Sequence, residues 1–450
     1  MNNTTNIIKG DVRMNPVFKE YSQMLKEKTG LSLSEGYFWM DNQIVKCFDK
    51  KGGIHKLYRI KVEDDLSMSY TIPKNGYAQL IGDTILEKGN ELELASWDDV
   101  VDLNRTHLEE IEKESLNTIY EFSQRHKSKS PTVLTSGGKD SSVVMHLVRQ
   151  IHPDAKAFFN NTTLDCADTY KHIKELYNIE TITPKEGFYQ WRKRLNFVPT
   201  RFARACCTIF KEGAMVDYLN KEDEYLFFLG MRNEESSTRS GYTEDWSNER
   251  WPDTWKGCLP IRKWTELDVW LYIMLRDISV NCKYKKGYTR VGCHVACAYY
   301  TKSTWVLDKY WYETNHNRWQ DILREDFIKN NKWIVMNCTL EEYLQKAWNG
   351  GTYRDEATEE VIQEYAEYNN LDVSIARKYF DRTCMNGCTN KKGKPIKIKD
   401  KTTLAFNMKL FGRHIEKFMC KKCLMKEMNW DEEKWNSEAQ RFKQQGCDLF

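Results

Sequence analysis

The run Ser136-Gly137-Gly138-Lys139-Asp140-Ser141-Ser142 sets two glycines, a lysine and three serines around one acid. Glycines let backbone amides approach a ligand, the free N–H groups of a helix start favour anions, and lysine adds a compact positive charge. This is chemistry suited to phosphate. It is not a Walker A loop, because Val133 stands where that pattern has its first glycine and Asp140 replaces the serine or threonine after lysine. Asp140 has two roles open to it, capping the following helix or helping to hold Mg2+, and capping is the expectation. Downstream, Gly230, Arg232 and Arg239 offer a second anion site, since guanidinium forks match phosphate and sulfate oxygens. Structural ion pairs with Glu234 or Glu235 are the alternative use of these arginines.

Cysteine is the other chemical signal, with 14 in the chain. The adjacent pair Cys206-Cys207, taken with Cys293 and Cys297, offers four thiols suited to an iron–sulfur cluster or to zinc. The second constellation is Cys384-x3-Cys388 followed by Cys420-x2-Cys423, two close pairs around a short insert, which is the spacing of a structural zinc ribbon holding Zn2+. The insert carries Lys391, Lys392, Lys394, Lys397, Lys399 and Lys401 against Asp400. It suits a phosphate backbone or a solvated hairpin edge, with Lys397 and Lys399 sharing one strand face about Ile398. Cys47, Cys166, Cys258, Cys282 and Cys338 lack ligand spacing and are read as structural.

These residues need elements to hold them. Short β-leaning stretches at 37–40, 44–47, 57–62 and 78–81, punctuated by Gly, Asn and Asp, predict a β-rich accessory module over residues 1–97. Apolar spacing predicts a helix over 98–126, and then the pattern changes. Strands at 132–135, 155–160, 179–182 and 224–229 alternate with helices at 141–149, 166–177 and 265–275. The fold class expected is α/β, a doubly wound, mostly parallel sheet whose ligands sit at the carboxyl ends of the strands, where Ser136 and Gly230 fall. Residues 98–335 make this core, with helices at 305–333, and 336–450 make a small Cys- and Lys-rich domain.

Composition bounds the function. At 450 residues and 40% hydrophobic content, the chain has ample material for packed cores and is not disordered. A net charge of +3 leaves any nucleic-acid contact to a local patch. The longest apolar run, Val269–Leu275, falls short of the roughly 18 residues of a membrane span. The polar start Met1–Asn6 lacks an apolar leader, so the expectation is a cytoplasmic protein whose cysteines ligate metal or serve thiol chemistry.

The loop string resembles the PP-loop signature of ATP pyrophosphatases, and residues 130 to 300 resemble the phosphoadenosine phosphosulfate reductase family. Gly230-Met231-Arg232 with Glu235-Ser236 and Arg239 is similar to that family's G-x-R-x-x-E-S-x-x-R segment. Pro260 to Trp270 resembles P-I-x-x-W-t-x-x-D-V-W, and Tyr284 to Cys293 resembles Y-x-x-G-x-x-R-x-G-C. The superfamily holds two chemistries. Sulfonucleotide reductases bind an already activated sulfate and usually carry a degraded loop, whereas ATP-using members, among them ATP sulfurylase subunits, tRNA thiolases and DNA phosphorothioation enzymes, keep S-G-G-x-D-S intact, as here.

The resemblance therefore implies ATP and Mg2+, adenylation of an acceptor and sulfur transfer. Ser136, Gly137, Gly138 and the Ser141 and Ser142 amides would hold phosphates, with Lys139 on the departing pyrophosphate and Lys139, Asp140 and Arg232 as catalytic residues. Thr162, in the segment Asn161–Asp165 where relatives contact adenosine, joins Gly230, Arg232 and Arg239 in the binding set. A [4Fe–4S] cluster on Cys206, Cys207, Cys293 and Cys297 is implied as well, although C-x3-C replaces the family's usual C-x2-C and offers His294 as a substitute ligand. The partners implied are a nucleic-acid acceptor, DNA or tRNA, and a sulfur donor or thiol reductant protein. The alternatives are a sulfonucleotide reductase releasing sulfite, for which Cys447 near the last residue would be the nucleophile, and a nucleotide-gated nucleic-acid-binding module.

Overall fold

The computed structural model describes residues 13–201, 203–237, 239–295, 297, 301–345, 354–413, 415–444 and 449. Cys447 lies outside them. The chain divides into two compact units, the first made of residues up to 185 with 209–294 and 301–311, the second of 186–208, 295–300 and 312–450.

In the first unit, the β-leaning stretches form an antiparallel sheet of β1 (Asn15–Pro16), β2 (Phe38–Asp41), β3 (Ile44–Asp49), β4 (Ile54–Val62), β5 (Met68–Thr71), β6 (Gln79–Ile81), β7 (Thr84–Glu87) and β8 (Asn90–Ala95), with α1 (Lys19–Thr29) after β1. Alternation sets its faces: Leu57, Ile60 and Val62 of β4 are buried between exposed Lys56, Arg59 and Lys61. Helix α2 (Trp97–Arg125) starts where Ser96 and Asp99 close a capping box, the Asp99 amide donating to Ser96 Oγ at 3.1 Å and the Ser96 amide to Asp99 Oδ2 at 2.7 Å.

The second sheet begins with β9 (Ser130–Thr135), α3 (Lys139–Ile151), β10 (Lys156–Asn160), α4 (Ala167–Glu175) and β11 (Ile179–Ile182). After α5 (Phe188–Leu195) in the second unit, it resumes with α6 (Ala214–Tyr218), β12 (Tyr225–Leu229), β13 (Asp245–Trp246), β14 (Lys256–Cys258) and α7 (Glu266–Leu275). Its order is β11-β10-β9-β12-β14-β13, parallel except for β13. The chain leaves β9 toward β10 on one side and returns to β12 on the other, so the two central strands bound the crevice where such sheets take ligands. Val133, Ala157, Leu226 and Phe228 share one core with Val143, Val144, Leu147 and Val148 of α3 and Leu267, Trp270 and Leu271 of α7. The doubly wound, mostly parallel sheet expected from the alternation is present.

The antiparallel sheet and the parallel sheet belong to the same unit. Trp270 of α7 donates through Nε1 to Asn15 Oδ1 of β1 at 3.0 Å, and the Tyr21 amide of α1 donates to the Lys285 carbonyl at 3.1 Å. Gly287, at φ +89°, lies so close to Tyr21 that a Cβ would collide with the ring. Helix α8 (Lys302–Trp311) completes this unit.

The second unit is helical: α9 (Glu313–Lys329), α10 (Lys332–Met336), α11 (Leu340–Gln345), α12 (Glu359–Asn369), α13 (Val373–Tyr379), α14 (Lys401–Phe411), α15 (Lys421–Glu427) and α16 (Glu432–Gln444) follow α5. A small core of Phe406, Leu424, Trp435 and Ala439 joins the last three. The expected zinc ribbon is not what forms, because Cys420 caps α15 and Cys423 lies in its first turn, so the second cysteine pair sits on a helix start. Among the described residues, no helix is long and apolar enough to cross a membrane.

Candidate nucleotide and metal sites

The phosphate-type loop occupies the turn from β9 into α3. Gly137 takes φ +70°, a left-handed conformation that favours glycine, and Gly138 is the N-cap of α3 with no side chain over the helix start. The hydroxyls lock the turn from within. Thr135 Oγ1 lies 3.1 Å from Ser141 Oγ and accepts from the Gly137 amide, while Ser141 and Ser142 both donate to the Gly138 carbonyl, at 2.9 and 3.2 Å. The Ser142 amide also donates to that carbonyl, at 3.0 Å, so it is spent inside the helix and not offered to a phosphate.

Strand β12 delivers the second anion-seeking group. At its end, a Cβ on Gly230 would stand 2.7 Å from the Asp140 carbonyl carbon and 2.8 Å from the Ser141 nitrogen, so only glycine allows β12 to reach the start of α3 this closely. Arg232 then meets Asp140, Nε donating to Oδ1 at 2.6 Å, and bonds Glu234 as well. Asp140 is therefore no cap: it turns sideways and bridges Arg232 to Lys139, whose Nζ lies 3.2 Å away. Arg239 pairs with Glu235. The structural ion pairs weighed for both arginines are formed.

Lys139 is buried, at 3% exposure, although it sits at the turn into α3. Its ammonium lies 3.2 Å from Glu266 Oε1 at the start of α7 and 5.7 Å from the centre of the Tyr284 ring, and its amide donates to the Tyr284 hydroxyl at 2.9 Å. The result is an alternating row, Glu266, Lys139, Asp140, Arg232, Glu234. Burial alone would discharge Lys139, but Asp140, Tyr284 and Glu266 outweigh it and raise its pKa. Burial likewise pushes Asp140 up, and Lys139 and Arg232 reverse the sign and hold it below the ordinary carboxylate value. Glu234 is raised, by burial first, despite Arg232.

Glu266 and Tyr284 are the site residues that the motif comparison quoted without assigning. Their motifs explain their places. In Trp264-Thr265-Glu266-Leu267-Asp268-Val269-Trp270, Thr265 and Asp268 form the capping box that starts α7, with the Thr265 amide 2.8 Å from Asp268 Oδ2, and this fixes Glu266 as the first helical residue. Trp264 donates to Ser115 Oγ at 3.1 Å, and Tyr284 packs edge-on against Trp270 at 5.1 Å.

Beyond β10, Thr162 donates to Asp165 Oδ2 at 2.7 Å, and the Cys293 thiol points to Thr162 Oγ1 at 3.7 Å. The His294 amide donates to the Leu164 carbonyl at 2.7 Å. The segment assigned to adenosine is thus fastened to the first cysteine of the later pair. Thr163 takes φ +60°, unusual for a β-branched residue, with its amide held by Asn161 Oδ1 at 2.8 Å. Cys293 belongs to the first unit, and Cys206, Cys207 and Cys297 to the second. All four are partly buried and none forms a disulfide.

The C-terminal cysteines do come together. Ligand atoms of Cys384, Cys388, Cys420 and Cys423 all lie within 4.8 Å of one another, and the set can hold a metal ion. Burial pushes the Cys384 thiol up, yet the amides of Cys420 and Asn386 and the neighbouring thiols bring it down to about 7. In the insert between the pairs, Ile398 is buried while Lys391, Lys392, Lys394, Lys397 and Lys399 are exposed. Lys397 reaches Glu356 at 3.1 Å and Lys399 reaches Asp355 at 3.4 Å. The segment forms isolated bridges at Thr383–Lys397 and Thr389–Pro395 in place of the strand expected there.

Comparison with known proteins locates the same segment. Residues 130–298 match the family model described as the phosphoadenosine phosphosulfate reductase domain. An uncharacterized protein of Methanocaldococcus jannaschii is 30% identical over 281 residues, which are 57% of this chain and 66% of that protein. Sulfate adenylyltransferase subunit 2 of Vibrio vulnificus is 28% identical, over 39% of this chain and 66% of its own. Adenosine 5'-phosphosulfate reductase of Bacillus mycoides is 28% identical, over 35% of this chain and 69% of its own. The chain thus spans 66% of the length of the Methanocaldococcus jannaschii protein and 44% of a second one from the same organism, 30% identical.

Proposed function

We propose that this chain, which carries a phosphoadenosine phosphosulfate reductase domain over residues 130–298, binds ATP with Mg2+ at Ser136–Ser142 and adenylates an acceptor for sulfur transfer. The observation that carries this reading is the intact loop, closed by its own hydroxyls around a left-handed Gly137 at the mouth of β9 and capped by side-chain-free Gly138. Backbone approach and a helix N-terminus supply what a triphosphate needs. An acceptor oxygen attacks the α-phosphorus, the bond to the β-phosphate oxygen breaks, and pyrophosphate leaves with both bonding electrons. Lys139 and Arg232, each paired with Asp140 and one further carboxylate, Glu266 or Glu234, are the two cations that would follow the leaving charge.

The donor chemistry of Cys206, Cys207, Cys293 and Cys297, four partly buried thiols outside any disulfide, suits the [4Fe–4S] cluster proposed for them. Such a cluster would supply electron transfer or a sulfur-binding iron, and these four residues would hold it as thiolates, with Thr162 beside Cys293. A nucleic-acid acceptor would dock on the exposed lysines of 391–399, and a separate protein would supply sulfur or reducing thiols. The test is to incubate anaerobically purified protein with ATP and candidate acceptors and to measure pyrophosphate and AMP. Sulfite release from a sulfonucleotide, with no ATP binding, would assign the chain to the reductase chemistry of its Bacillus mycoides relative instead.

A further inference from the structure

The sulfur geometry of the C-terminal unit decides what kind of metal it takes. Cys388 Sγ and Cys423 Sγ are 3.4 Å apart, and Cys384 Sγ and Cys423 Sγ 3.8 Å. A single tetrahedral ion with metal–sulfur bonds of about 2.3 Å separates its sulfurs by about 3.8 Å along each edge. A [4Fe–4S] cluster places an iron beneath each cysteine and sulfides between the irons, which holds the four thiolates much farther apart. These thiols have the spacing of ligands to a single ion.

The backbone prepares both halves of the cage. Cys384 and Cys388 flank a turn in which Gly387, at φ +65°, donates to the Cys384 carbonyl at 3.1 Å. The Cys384 amide donates to the Ile396 carbonyl, and the Ile396 amide to the Cys388 carbonyl, both at 2.9 Å. Cys420 and Cys423 present their thiols at the start of α15, and the Cys420 amide donates to Cys384 Sγ at 3.4 Å. Such an N–H–S bond stabilises thiolate charge and ties the halves together. All four positions around an ion are filled by protein sulfur, which leaves no open position for a substrate.

What surrounds the cage says what the ion is for. Among residues 381–400, only Arg382, Cys384 and Ile398 are buried, and regular structure is limited to isolated bridges. So little apolar material cannot order twenty residues against their conformational entropy. We propose that Cys384, Cys388, Cys420 and Cys423 hold one zinc ion in a closed, structural site, and that this ion fixes the lysine-bearing segment 391–399. The inference stands apart from the nucleotide reading.

The experiment uses the full chain. Elemental analysis should find zinc at one equivalent per chain, lost in Cys384→Ser and Cys423→Ser, while any iron present stays constant. Because a serine variant can fail to fold, two measurements use the unaltered sequence. Protein produced with cobalt should show the visible bands of a tetrahedral tetrathiolate, and mercurial titration should release one zinc as four thiols react. Tryptic cleavage after Lys391 and Lys392 should rise at least tenfold on zinc release. Iron lost with the serine substitutions, zinc unaffected by them, or cleavage unchanged after zinc release would each overturn the proposal.

Discussion

Lys139 and Glu266 meet at 3.2 Å with their side chains only 4% and 12% exposed, joining the start of α3 to the start of α7. The lysine of the phosphate-type loop is thus a structural counter-ion as well as a candidate ligand, and its removal strands charge inside the protein.

Lys139→Met should lower the unfolding free energy by about 3–5 kcal/mol, the cost of leaving buried carboxylates without their cation. Urea unfolding measures it. Glu266→Gln should cost less in the Lys139→Met background than in the unaltered protein; equal costs in both would show that the pair is not coupled.

Gly230→Ala should displace α3, because the added methyl meets the Asp140 backbone and not a movable side chain. A loss of about 1–3 kcal/mol is expected from overpacking, with weaker ATP binding by calorimetry. Gly241→Ala, with nothing within 4 Å of its Cβ position, is the control and should leave both quantities unchanged.

Asp99 gives a pH signature. The Lys50 ammonium first, then the Ser96 amide and hydroxyl, hold its carboxyl down at about 2, against an ordinary 3.8. A lowered folded-state value means the stabilisation is complete above the ordinary value and is lost as pH falls through about 2. The group is partly exposed, so the effect is modest and salt-sensitive. Asp99→Asn should flatten acid unfolding between those limits, as followed by circular dichroism, and Ser96→Ala should cost about 1 kcal/mol at neutral pH.

If a nucleic acid docks on the lysine segment, the paired and the open lysines will behave differently. Replacing Lys391, Lys392 and Lys394 by Gln should weaken DNA or tRNA binding and reduce the slope of log K against log salt by about 2 to 3. Replacing Lys397 and Lys399, already opposed by Glu356 and Asp355, should change it less. Identical effects from the two sets would remove the distinction, and no effect from either would remove the docking role.

The sequence was most legible where the determinants are local. Strand 179–182 has the bounds expected for it, and the helix expected over 98–126 from apolar spacing is Trp97–Arg125. The roles of Lys139 and Asp140 were not legible, because their partners Glu266 and Arg232 come from distant segments that meet only once the sheet has formed. The Thr265–Asp268 capping box marks where α7 begins, yet nothing local says which side chain its first residue will face. The C-terminal cysteines show the same limit: their spacing forecasts proximity, while the helix beneath Cys420 and Cys423 depends on Leu424 packing against Phe406 and Trp435.

The bond from Trp270 to Asn15 and the fit of Tyr21 against Gly287 bear on how the protein can be subdivided. A fragment starting at α2 would begin at a natural change of strand type, yet it would leave the indole N–H of Trp270 in α7 unsatisfied and remove the ring that Gly287 accommodates. The shortest piece worth expressing for crystallography or for nucleotide titration therefore starts before β1, and the antiparallel sheet travels with the Ser136–Ser142 loop as its obligatory wall.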